Sequence, residues 1–209
     1  AVFWALGAFA PKPATFDLSS AETVTGAGVD VLDLLAQRNL VEVADGNTLT
    51  VHQVVHDVMA RATPGEAAER HTKHYLEIVY EDRENWRRIE RAYEQVRFAC
   101  NRGDIMHFVN ALSIFQARRG IWKDRLAWLE TALIQVRADS DAFAEAHVLH
   151  EYGYAYHALG EKQAALECYE QSLPLRRHAM DKSGEADTLS NLGSILDEMG
   201  SIYRAKDCY

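Results

Sequence analysis

Residues 149–173 read LHEYGYAYHALGEKQAALECYEQSL, and the spacing inside this stretch decides the fold. Gly153 occupies no side-chain volume, so a neighbouring helix can come close there. Gly160, seven residues on, stands where a helix ends cheaply in a left-handed residue. Ala165 and Tyr169 then set a small and a large side chain one turn apart on a single face. Forty residues later, LSNLGSILDEMGSIYRAKDCY (189–209) puts Gly193, Gly200, Ala205 and Tyr209 in the same slots. Forty residues earlier, ALSIFQARRGIWKDRLAWLETAL (111–133) keeps Gly120, Leu129 and Leu133 but has Ser113 and Arg125 where small residues are expected. Self-similarity at a fixed period means stacked supersecondary units, each burying its apolar face against the next. The period predicts antiparallel helix pairs at about 104–137, 142–178 and 185–209.

Composition sets the outer limits. The chain has 209 residues, 25% of them charged and 48% hydrophobic, as in an ordinary globular protein. Its net charge of −9 argues against general affinity for nucleic acid, which depends on Lys and Arg. No apolar run is long enough to suggest a membrane span. The opening AVFWALGAFAPKP lacks a basic leading region and reads as the end of a core helix rather than a signal peptide. Cys100, Cys168 and Cys208 are odd in number and have no metal-type spacing. They read as core-filling residues in a reducing cytoplasm.

Residues 1–63 follow a different pattern. Val31, Leu34 and Leu35 are at helical spacing, which predicts a short amphipathic helix over 28–38. VEVADGNTLTVH (41–52) gives two β-branched runs around Asp45, Gly46 and Asn47, a hairpin signal, and strand is expected only at about 40–52. QVVHDVMARA (53–62) returns to helical spacing, and Pro64 closes the segment. Helix, hairpin, helix is the order of a winged helix. Such modules often bind DNA, but here the helix before the hairpin sets Asp30 and Asp33 against Arg38, and the hairpin carries Glu42 and Asp45. That charge pattern disfavours phosphate contacts. Residues 64–103 read as linker helices, so the chain divides into 1–63, 64–103 and 104–209. The fold class expected is mainly α: a small winged-helix domain followed by an α-α superhelical array.

Two resemblances follow from these residues. The forty-residue unit resembles the tetratricopeptide repeat in a longer form, with two copies that match well across 141–209. The order of LLAQRNLVEV, hairpin, LTVHQVVHDVMARA and repeats resembles the STAND or NB-ARC signal-transduction nucleotide switches, over essentially the whole chain. RENWRRIERAYEQVRFACNRGD (83–104) is similar to the linker helix such proteins place before their repeats. The family's Met-His-Asp motif falls where this chain has Val51, His52 and Gln53. The resemblance implies that His52 faces the β-phosphate of ADP in the closed state. No Gly-rich loop followed by Lys and Ser or Thr occurs, so this chain builds no phosphate cradle. The expectation is therefore no cofactor here and no catalysis. ADP or ATP would be held by the parent protein's upstream nucleotide-binding domain, which the winged helix would contact as a partner.

The partner site is read from helical phase. His147, His150, Tyr154 and His157 follow i, i+3, i+7, i+10 spacing and share one helix face. In a tetratricopeptide array that face lines the concave groove. The same phase adds His107 and Asn110 before the stripe, and Asp187, Ser190, Asp197 and Glu198 after it. A groove running from imidazole and aromatic groups to carboxylates suits a protein, peptide or effector ligand, with no nucleic acid and no membrane expected. His52 and His56 stand four apart as in a metal-binding helix, but Gln53 occupies the place of the needed glutamate and no third ligand follows. The alternatives to a sensor region are an adaptor that scaffolds a complex without nucleotide control, and a DNA-binding winged-helix regulator.

Overall fold

A computed structural model describes residues 1–44, 48–81 and 86–208. The chain divides into two compact units, Ala1–Leu112 and Ser113–Tyr209.

The first unit opens with helix α1 (Val2–Ala5) and a 3-10 turn (Leu6–Ala8), which place Leu6, Ala8 and Phe9 in its core. Strand β1 (Phe16–Asp17) runs into α2 (Leu18–Thr25), capped by the Asp17 carboxylate, which accepts from the Ser20 N–H at 2.7 Å. Helix α3 (Val29–Gln37), strands β2 (Glu42–Val43) and β3 (Thr48–Thr50), and α4 (Gln53–Ala60) give the helix, hairpin, helix order expected. The hairpin residues Asp45, Gly46 and Asn47 lie outside the described residues. The sheet runs β1-β3-β2 and is antiparallel throughout, with Phe16 opposite Leu49 and Val43 opposite Leu49 from the other side. Strand is therefore not confined to 40–52. β1 has two residues, too few for an alternation to be read, and it is held by Phe16, which stacks on Phe9 at 3.9 Å between ring centres.

Helices α5 (Gly65–Glu81) and α6 (Trp86–Cys100) follow, with 82–85 outside the described residues. The fully buried Gln95 binds the main chain of Ala10 twice: its Oε1 accepts from the Ala10 N–H at 2.8 Å and its Nε2 donates to the Ala10 carbonyl at 3.2 Å. The same Oε1 accepts from His71 Nε2 at 3.1 Å. His71 thus carries its proton on Nε2 and leaves a buried Nδ1 with no hydrogen-bond partner among the described residues. Burial pushes its pKa down to about 3. His71 is a core group.

The array is built on a half-period of twenty. Helices α8 (Trp122–Ala138), α9 (Ala142–Ala158), α10 (Lys162–His178) and α11 (Lys182–Glu198) have 17 residues each, and α12 (Ile202–Lys206) is the second helix of the hairpin that α11 opens. α7 (Ile105–Arg119) precedes them and carries the division between the two units. A left-handed residue stands at every turn: Gly120 (φ 68°), Ser140 (56°), Gly160 (82°), Met180 (55°) and Gly200 (76°). Each turn closes the same way, as in Glu161 N–H to Tyr156 C=O at 2.9 Å and Asp181 N–H to Arg176 C=O at 2.9 Å. α11 starts at 182 rather than 185 because the Asp181 carboxylate caps it, accepting from the Gly184 N–H at 3.0 Å. Asp141 caps α9 identically through Ala144. Across each turn between hairpins an ion pair recurs at the forty-residue interval, Arg137 with Glu145 at 2.7 Å and Arg177 with Glu185 at 2.6 Å. The core between α10 and α11 is Ala165, Leu166, Tyr169, Leu173, Leu192, Ile195 and Leu196, with Ala205 of α12. The Tyr169 ring lies on the bare Cα of Gly153, so the close approach made there is by a side chain.

Candidate functional site

Within the second unit, α7 and α9 line a cavity of about 220 Å³. α7 contributes Ser113, Ile114, Ala117 and Arg118, and α9 contributes His150, Glu151 and Tyr154. Two of the residues picked by helical phase, His150 and Tyr154, therefore meet at one site. Tyr154 is exposed, and the Trp122 ring sits 6.3 Å from its own.

The imidazoles are more committed than their phase implied. Thr188 Oγ1 donates to the Gly184 carbonyl at 2.7 Å, so it accepts from His150 Nδ1 at 2.9 Å. The other ring nitrogen, Nε2, then accepts from Asn191 Nδ2 at 3.4 Å. This assigns His150 as the neutral tautomer, with its nitrogen edge on α11. Burial lowers its pKa, in keeping with that form. His157 Nε2 donates to Glu198 Oε1 at 2.9 Å, and Lys162 completes the cluster at 2.9 Å from Glu198 Oε2. Hydrogen bonding to Lys162 and to His157 holds the Glu198 carboxyl below the usual range. These two histidines tie α9 to α11. His147 is half-buried, its pKa lowered first by burial, in the field of Glu151, Arg176, Arg125 and Asp181. Asp187, Ser190 and Asp197 are exposed on α11. His107 and Asn110 are exposed on α7 within the first unit, where His107 Nδ1 lies 3.1 Å from Asp104 Oδ2.

Beneath the cavity is the residue the repeat pattern marked as irregular. Arg125 of α8 is 1% exposed; its Nη2 donates to Glu151 Oε2 and its Nη1 to Gln116 Oε1 at 3.5 Å. Burial lowers the Arg125 pKa, and the Glu151 charge opposes that shift. Glu151, Arg118 and Ile114 carry no motif of their own. The signals that pointed here were Ser113, in the slot of Gly153 and Gly193, and Arg125, a charge in a slot where Ala165 and Ala205 stand in the sister repeats.

His52, in the first unit, is exposed and forms the N-cap of α4, its Nδ1 accepting from the Val54 N–H at 3.3 Å. Nearby Glu42 is ion-paired with Lys12, and that bond, ahead of the fields of Lys12 and His52, keeps its carboxyl low. His56 is buried against Phe98, with both ring nitrogens lacking a hydrogen bond among the described residues, although Asp57 Oδ1 lies 3.6 Å from Nδ1. Among the described residues no cluster of His, Cys, Asp and Glu suits a metal ion, and no helix is long and apolar enough to cross a membrane.

Residues 146–178 match the tetratricopeptide repeat family. No curated protein matches the chain. Among solved structures the chain is similar to a signal transduction ATPase with numerous domains (STAND) protein with a tetratricopeptide repeat sensor, from Pyrococcus horikoshii. The identity is 14% and the TM-score 0.49. All of this chain is covered and 42% of that one, so the chain spans less than half the length of that protein.

Proposed function

We propose that the chain is the regulatory region of a nucleotide-dependent switch of the STAND or NB-ARC kind. In this reading 1–63 is a winged-helix module, 64–103 a linker, and 104–209 a tetratricopeptide array whose inner face holds a protein or peptide partner. The observation that carries it is the cavity lined by Ser113, Ile114, Ala117 and Arg118 of α7 and by His150, Glu151 and Tyr154 of α9. It combines apolar wall, hydroxyls and charge in a repeat scaffold, the composition expected of a site that orients a peptide. Site-specific photo-crosslinking tests it. A crosslinker at Tyr154 should capture a partner that one at Ile134, exposed on α8, does not. Identical adducts from both positions would count against the groove.

His52 supports nucleotide control over a plain adaptor. With Nδ1 taken by the Val54 N–H, its proton sits on Nε2, and an exposed Nε2–H is a donor of the right kind for a phosphate oxygen. ADP in the upstream domain would supply that oxygen and the energetic difference between switch states. Lys12 offsets the nearby Glu42 carboxylate, which would otherwise repel it. A single hydrogen bond to an anion is worth roughly 1.5–3 kcal/mol, so His52→Ala in the parent protein should speed ADP release roughly ten- to hundredfold. Unchanged release would favour the adaptor, in which His52 is only a helix cap.

A further inference from the structure

The first unit holds a cavity of about 370 Å³, bounded by α5 and by the connection from α6 to α7. Small-molecule sites run from roughly 300 to 1,000 Å³, so this one suits a compact ligand. Ala68, Thr72 and Leu76 recur at every fourth residue of α5 and form a half-buried strip along it. The connection lies close against that strip: a Cβ on Gly103 would stand 2.5 Å from Thr72 Cγ2. Glycine permits the approach, and its neighbour Arg102 is thereby set on the cavity wall. The Arg102 guanidinium is held on two sides. Its Nη1 donates to the Ala8 carbonyl at 2.9 Å, and its Cζ lies 4.2 Å from the centre of the Phe98 ring. Neither contact neutralises it, and among the described residues it has no ion-pair partner. Desolvation lowers its pKa with no carboxylate opposing the shift, whereas Glu151 opposes it at Arg125. Of the other charges on this wall, Lys73 lies 3.8 Å from Glu77, and Glu69 is exposed and unpaired with Arg102.

An oriented guanidinium without a counter-ion, set beside an apolar strip, lacks only an anion. With Nη1 committed to Ala8, the edge formed by Nε and Nη2 has no acceptor among the described residues. That edge matches both oxygens of a carboxylate. We propose that this cavity binds a small aliphatic carboxylate, with its headgroup on Arg102 and its chain along Ala68, Thr72 and Leu76. A phosphate group carries more charge than one guanidinium offsets and would leave the strip uncovered. A monoanion with a hydrocarbon chain meets both features of the wall. The site is separate from the groove of the second unit and does not depend on it. The whole chain carries −9, so background repulsion acts against any anion, and retention of one has to come from the site.

The test titrates octanoate into the full chain by calorimetry and follows backbone amide shifts, with acetate and octylammonium as controls. Octanoate should bind with a Kd of about 1 mM or below. Acetate lacks the chain and octylammonium reverses the charge, so each should bind at least about tenfold more weakly. The largest amide shifts should fall at Thr72 and Gly103. Arg102→Gln removes the charge and should weaken octanoate binding about tenfold or more. Should that variant lose helical circular dichroism along with the Ala8 contact, Ala68→Phe fills the strip and keeps the guanidinium. It should block octanoate while the helical signal stays unchanged. Absence of octanoate binding at about 10 mM would overturn the proposal. So would parity with either control, shifts confined to the second unit, or full affinity in either variant once folded.

Discussion

Gly153→Ala is the substitution that most directly probes the packing of the array. A Cβ at this position would sit 2.5 Å from Tyr169 Cε1 and 2.7 Å from both Cδ1 and Cζ. Tyr169 is fully buried among Ala165, Leu166 and Leu173, so the ring has no room to swing aside. Overpacking of this kind costs about 1–3 kcal/mol, and contact this short belongs at the upper end. Against it, replacing a mid-helix glycine by alanine stabilises α9 by about 1 kcal/mol. The net expectation is a loss of about 2 kcal/mol, seen as a fall in Tm of about 4–8 °C for a chain of this size. Hydrogen exchange should show the loss in α9 and α10 before α3 or α4. Tyr169→Leu removes the ring, and in its presence the alanine should be neutral or stabilising, a coupling of about 2 kcal/mol between the two positions. A rise in Tm on Gly153→Ala alone would mean that the glycine is an ordinary helical glycine and that the ring does not depend on it.

Met180 adopts φ 55° at a turn where its register neighbours at 120, 160 and 200 are glycines, and it is exposed; Met180→Gly should raise stability by about 0.5–1 kcal/mol, measured by urea midpoint. Because His71 stays neutral in the fold while an unfolded imidazole titrates near 6.5, the unfolded chain binds the extra proton between pH 6.5 and about 3. Stability is then full above pH 6.5 and falls with acidification by about 1.4 kcal/mol per unit, and His71→Asn should flatten that slope in pH-dependent unfolding. A Cβ at Gly184 would overlap the Arg176 guanidinium, which is buried and paired with Asp181, so Gly184→Ala should cost on the order of 2–3 kcal/mol, largely recovered by Arg176→Val.

The legible parts of this fold are those a single residue type enforces. Glycine at 120, 160 and 200 announced the turns within hairpins, since left-handed backbone favours it. The turns between hairpins use the same backbone at Ser140 and Met180, which carry no such mark, and so the half-period of twenty was hidden. The helix and hairpin of the first unit were legible by periodicity, while β1 was not, because Phe16 and Asp17 offer no pattern of their own. Helical phase brought His150 and Tyr154 to the cavity. It could not show that the His150 nitrogens are consumed by Thr188 and Asn191, since hydrogen-bond partners 38 and 41 residues away leave no trace in phase.

The departures from the repeat are where its chemistry lies, and they come in compensated sets. At one register position Val136 gives way to Arg176; eight residues on, Ala144 gives way to Gly184, which makes room for that guanidinium, while Asp181 neutralises it. Holding the Asp181 carboxyl well below its usual range are first the Gly184 N–H and then Arg176. At another position Arg125 replaces the small residue and Glu151 answers it. A merely decaying repeat would collect substitutions singly, each leaving a cavity or an orphaned charge. Here the buried Arg125 arrives with its counter-ion Glu151, whereas Arg176 pairs with an aspartate whose counterpart, Asp141, the preceding copy already has, and His147 lies in the field of both pairs. The two irregular repeats thus carry a chain of charges from α8 to the start of α11.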